Sequence, residues 1–84
     1  MNYFLKEYIN SLTEKDIYNF GLKEGITLKD EETKTIYLYI KNYWETLIKD
    51  DSTFIFEELK EKLRPEVYQK VVELFNKYKK YLKK

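Results

Sequence analysis

The stretch from Thr33 to Lys49, TKTIYLYIKNYWETLIK, limits the choice of fold more than any other part of the chain. Wound into a helix at about 100° per residue, it brings Ile36, Ile40, Tyr43, Trp44 and Leu47 close together. Tyr37 and Ile48 flank them on one side and Tyr39 on the other, so the apolar face takes up about half the circumference. Lys34, Lys41, Asn42, Glu45 and Lys49 lie opposite. One neighbour cannot cover a stripe this wide. The pattern predicts a central helix with other helices packed on two sides of it.

The flanking segments supply those helices. Residues 2–10 place Phe4, Leu5, Tyr8, Ile9 and then Leu12 at helical spacing, a short helix held by docking rather than by its own propensity. Thr13, with Asp16 three residues on, reads as a capping box opening a second helix over 14–24. Ile17 and Phe20 point inward on it, with Tyr18 beside them. Gly21 lies inside that helix and marks a close approach by another helix. Gly25 suits the position just past its end, where the backbone enters the left-handed region. Thr27 with Asp30 is expected to cap the third helix, over 29–49, whose first turn is loaded with Asp30, Glu31 and Glu32. Ser52 is expected to cap a fourth, over 53–63, with Phe54, Ile55, Phe56, Leu59 and Leu63 inward. Pro65 stops that helix and fits the first position of a fifth. The fifth, over 65–82, turns Val67, Val71, Leu74, Phe75, Tyr78 and Leu82 inward. Two Gly and one Pro leave few other places to turn. The expected fold is all-α: a single domain over 1–84, built as a compact bundle of about five helices with the two longer ones, 29–49 and 65–82, as its spine.

Composition then bounds the chemistry. The 84 residues contain neither histidine nor cysteine. That removes the commonest general base, the thiol nucleophile, disulfides and nearly all transition-metal sites. Ser11 and Ser52 stand where caps belong. Gly21 and Gly25 make no phosphate-binding loop, having no strand before them and no Gly-Lys-Ser/Thr after. The acid clusters Glu31-Glu32 and Glu57-Glu58-Glu61 fall on first turns or polar faces, with no buried setting expected for either. The chain therefore reads as no enzyme, with no cofactor and no metal. No apolar run approaches the roughly 18 residues of a membrane span. The opening MNYFLKEYIN has no basic stretch leading into an apolar run, so no export signal is expected and the location reads as cytoplasmic.

Three features could bind something. The first is the outer edge of the third helix, where Leu38 falls out of phase with the apolar stripe and Tyr39 lies at its margin. These two residues are the candidate protein interface, for a protein partner or a second copy of the chain. The second is the C-terminal charge run. Residues 64–84 carry seven Lys or Arg against two acids. Within them Lys77, Lys79, Lys80, Lys83 and Lys84 interleave with Tyr78 and Tyr81, a candidate anion or nucleic-acid patch. The same lysines complement a helix dipole and keep a small protein in solution, and this reading carries more weight. With no arginine among residues 77–84, any nucleic-acid binding through that patch would be non-specific. The third is the helix, Gly turn and longer helix of residues 13–42, which has a helix-turn-helix outline. Asp30, Glu31 and Glu32 sit at the end that would approach phosphates, which argues against DNA.

Taken in order, these features resemble a known family. Ile17 through Gly25-Ile26-Thr27, the acidic start Asp30-Glu31-Glu32, Ile36 through Tyr43-Trp44, Phe54-Ile55-Phe56, and Leu63-Arg64-Pro65-Glu66-Val67 followed by Glu73-Leu74-Phe75-Asn76-Lys77-Tyr78 are similar to a family of short, uncharacterised all-helical proteins of low-GC Gram-positive bacteria. The resemblance covers nearly the whole chain through packing and capping signatures. It implies a small helical domain of the bacterial cytoplasm and carries no catalytic or binding residue with it. The expected function is that of a small non-enzymatic protein-protein interaction module; the alternative is non-specific nucleic-acid binding through the basic C-terminal helix.

Overall fold

The structure is a computed structural model that describes residues 3–48 and 53–82, with the side chains of 3, 5, 48 and 78–82 left undescribed. The chain is all-α. Among the described residues five helices follow one another: α1 (Tyr3–Ser11), α2 (Glu14–Lys23), α3 (Asp30–Ile48), α4 (Thr53–Lys62) and α5 (Pro65–Leu82). The two long ones are α3 and α5, as the spacing predicts. The chain divides into two compact units, Met1–Trp44 and Glu45–Lys84, with the division falling inside α3.

In the first unit both ends of α2 are made as the sequence implies. The Thr13 hydroxyl accepts from the Asp16 amide at 3.1 Å, and the Thr13 amide donates to Asp16 Oδ2 at 2.9 Å. Both halves of the capping box are present, satisfying two amides that the start of α2 would otherwise leave open. At the other end Gly25 has φ +85°. The Gly25 amide donates to Leu22 O at 3.0 Å and the Ile26 amide to Gly21 O at 2.8 Å. That pair of bonds is a Schellman cap. A Cβ on Gly25 would meet nothing within 4 Å, so backbone conformation alone demands glycine there. Gly25→Ala is expected to lose about 1–2 kcal/mol from strain without any clash. Urea unfolding checks this, and a Gly25→Asn variant should lose less.

Gly21 is needed for a different reason. A Cβ there would stand 3.2 Å from Ile26 O and 3.2 Å from Leu28 Cγ. The expected close approach exists, but what approaches is the connector that follows the cap and not another helix. The Schellman turn folds residues 26–28 back over the last turn of their own helix. Leu28 is buried there, with Ile9 and Ile17 as the other buried apolar side chains among the described residues of this unit.

The cap of α3 differs from expectation. The helix begins at Asp30, so the N-cap position falls on Lys29, and Thr27 lies two residues before it. The carboxylate that reaches back is Glu32, whose Oε1 accepts from the Lys29 amide at 2.9 Å. The Thr33 hydroxyl donates to Lys29 O at 3.1 Å. Glu32 is only 4% exposed and Thr33 is buried beside it. The acidic cluster is thus not uniformly on a polar face: Glu31 is exposed, while Glu32 turns inward to close the helix start.

The apolar stripe of α3 also differs in degree. Ile36, Ile40, Tyr43, Trp44 and Leu47 are all half-buried, and none is sealed. Tyrosine and tryptophan carry polar tips and large rings, so they cover a core without vanishing into it.

In the second unit α4 packs on α5. Ile55 is wholly buried, and Leu59, Leu63 and Val67 are buried with it. The rings of Phe56 and Phe75 meet at 4.9 Å between centroids, tilted by 58°. Pro65 opens α5, where its missing amide costs nothing. The Tyr68 amide donates to Arg64 O at 2.8 Å to begin the helical ladder. Phe54, expected inward, is exposed, as are Phe20 and two of the α1 residues read as inward, Phe4 and Tyr8. On each of these helices the aliphatic residue at the centre of the face takes the buried place and the aromatic beside it stays at the rim. The expected Ser52 cap lies outside the described residues.

Candidate functional site

The candidate interface rests on α3. That helix is anchored at its start by Glu32 and Thr33 and carries Leu38 on its third turn. Leu38 is 47% exposed. Its neighbours one turn away include Lys34 and Asn42, both exposed, so it is an apolar side chain within a polar face. Tyr39 is placed differently. It is half-buried, and its ring lies 5.5 Å from that of Tyr43 at 38°. Of the two residues, Leu38 faces solvent while Tyr39 belongs to the aromatic pair on the flank of the stripe. Successive helical residues point about 100° apart, which is why one can leave the stripe while the other stays on it.

Leu38 is not the sole exposed apolar residue of its unit. Phe4 and Tyr8 on α1 and Phe20 and Leu22 on α2 are exposed as well. A scattered exposed leucine is ordinary on a protein surface. Here each helix of the first unit carries at least one large apolar side chain in the open. Among the described residues of the second unit, Phe54 alone does so.

Lys41 takes a role that the sequence did not disclose. Its position on the polar side of α3 reads as solvated. Instead its Nζ donates to Ile9 O at 3.0 Å and to Asn10 O at 2.8 Å, the last carbonyls of α1. It also lies 5.5 Å from the centre of the Tyr37 ring, within cation–π range. The Ser11 hydroxyl donates to Tyr8 O at 2.9 Å, and the Leu12 amide to Ile9 O at 3.1 Å. The end of α1 is therefore capped from within and from α3 together. The one available signal was that α1 has no basic residue in its own last turn, which leaves its carbonyl end open to a cation from elsewhere.

Of the C-terminal patch, Lys77 is described and exposed. The α5 backbone stays helical to Leu82, so positions 77, 80 and 81 recur on one helical face. The side chains of Tyr78, Lys79, Lys80 and Tyr81, and residues Lys83 and Lys84 altogether, lie outside the described residues. So do the inward positions expected for Tyr78 and Leu82.

Among the described residues no cluster of three or more Asp or Glu is placed to hold a metal ion, and no helix is long and apolar enough to cross a membrane. No protein-family model, curated protein or solved structure matches the chain.

Proposed function

We propose that this chain is a small non-enzymatic cytoplasmic protein that works by binding another protein, or a second copy of itself, through the exposed apolar side chains of its first unit, with Leu38 as an anchor. The observation that carries the reading is the distribution of those side chains over α1, α2 and α3, where apolar surface left in the open favours association. A sequence without histidine or cysteine favours binding over catalysis. Kinship with the short all-helical proteins of low-GC Gram-positive bacteria is part of the same proposal and rests on the motifs quoted for it.

The competing reading is non-specific nucleic-acid binding by the lysines of α5. Titration of labelled single- and double-stranded DNA and RNA at two salt concentrations separates the two. Association through the first unit predicts no saturable binding even at low salt. Binding that weakens steeply as salt rises would instead assign the function to the lysines. Self-association is read by sedimentation of the wild type and of Leu38→Glu at tens of micromolar. Because Leu38 is exposed, the substitution should change stability by less than about 0.5 kcal/mol, so a change in assembly is attributable to the surface.

A further inference from the structure

We propose that α1 is a detachable arm latched by Lys41, opening from the first unit without unfolding of α2 and α3. Four observations converge on it. The helix has nine residues, below the length at which an isolated helix holds together in water. Of its described side chains only Ile9 is buried, while Phe4 is 85% and Tyr8 62% exposed. It has no acid in its first turn and no base in its last, so its own charges do nothing for the dipole. Finally, the cation at its carbonyl end comes from 31 and 32 residues away, through the two Lys41 bonds to Asn10 and Ile9.

By contrast α2 holds itself at both ends, through the Thr13–Asp16 box and the Gly25 turn. The start of α3 is closed by Glu32 and Thr33. Those caps are local in sequence and survive when α1 leaves. The latch is long-range and charged, so it is lost as a unit. Regions with few buried side chains and exposed backbone bonds are the ones that open first in native proteins.

The test is amide hydrogen exchange followed by NMR on the full chain, corrected for intrinsic rates. The amides of residues 7–11 in α1 are compared with those of Ile26 and Thr33, which donate to Gly21 O and Lys29 O. In the wild type the α1 amides should exchange at least about tenfold faster than the two references. In Lys41→Met, which keeps the apolar stem and removes the ammonium, they should accelerate by a further tenfold or more, as expected for hydrogen bonds made by a charged donor. Ile26 and Thr33 should not change. Equal rates across α1, Ile26 and Thr33 in the wild type would overturn the proposal, and this comparison needs no variant to fold. So would a Lys41→Met variant that accelerates all of them alike, or leaves α1 unchanged.

Discussion

Ile55→Ala is expected to remove about 2–5 kcal/mol from the stability of the second unit. Ile55 is 0% exposed, and its neighbours in the buried set are Leu59, Leu63 and Val67. A unit of this size has few such residues, and no disulfide stands behind them. Truncation removes three carbons from the best-buried position and leaves a cavity that α4 and α5 close only by shifting against each other. Small domains are stable by about 5–15 kcal/mol in total, so the loss is a large share of what there is. Circular dichroism during urea unfolding measures it. Phe54→Ala, one residue earlier on the exposed side of the same helix, should lose markedly less, although phenylalanine is the larger side chain. That ordering comes from burial and is the reverse of what side-chain size alone would give.

The second large effect lies where α2 turns into α3. Leu28→Ala should also destabilise the chain by about 2–5 kcal/mol, since Leu28 is buried against the bare backbone at Gly21. Gly21→Ala sets two terms against each other. Alanine is better than glycine in a helix by about 1 kcal/mol. The new methyl, however, meets Ile26 O and Leu28 Cγ, each at 3.2 Å. Overpacking of this kind costs about 1–3 kcal/mol. The Ile26 carbonyl cannot retreat easily, because the Ile26 amide is bonded to Gly21 O at 2.8 Å. The clash therefore wins, and Gly21→Ala alone is destabilising. In the Leu28→Ala background half of the clash is gone, so the same substitution should hurt less. The double-mutant cycle is expected to be non-additive by about 0.5 kcal/mol or more. Additive losses would mean that the connector does not rest on Gly21.

These contacts also show which parts of the fold could be read from the chain. Helix identity and ends were legible where a local rule sets them. Thr13 and Asp16 are three residues apart because a capping box needs that spacing. Gly25 follows Glu24 because only glycine takes φ +85° without strain, and Pro65 starts α5 because its lost amide is one no helix uses there. Burial was less legible. Periodicity gives a face but not its depth, so Phe4, Tyr8, Phe20 and Phe54 fell on apolar faces and yet lie exposed. Glu32 shows the converse. It read as one more acid of a polar first turn, yet its bond to the Lys29 amide makes it a buried cap. Lys41 was the least legible, because its partners Ile9 and Asn10 are about thirty residues away and no spacing rule spans that distance. Of the candidate site, the sequence marked Leu38 by its being out of phase. It did not reveal that α1 and α2 expose apolar side chains too, because that depends on what covers them.

The proposed function is protein association through the first unit. Affinity capture from its own cell extract tests it most directly, with tagged wild type and Leu38→Glu run side by side, each with and without nuclease. The expected result is a discrete protein, or an untagged copy of the chain, retained by the wild type, indifferent to nuclease and lost or strongly reduced with Leu38→Glu. Retention that vanishes on nuclease treatment, or that is unchanged by Leu38→Glu, would contradict it.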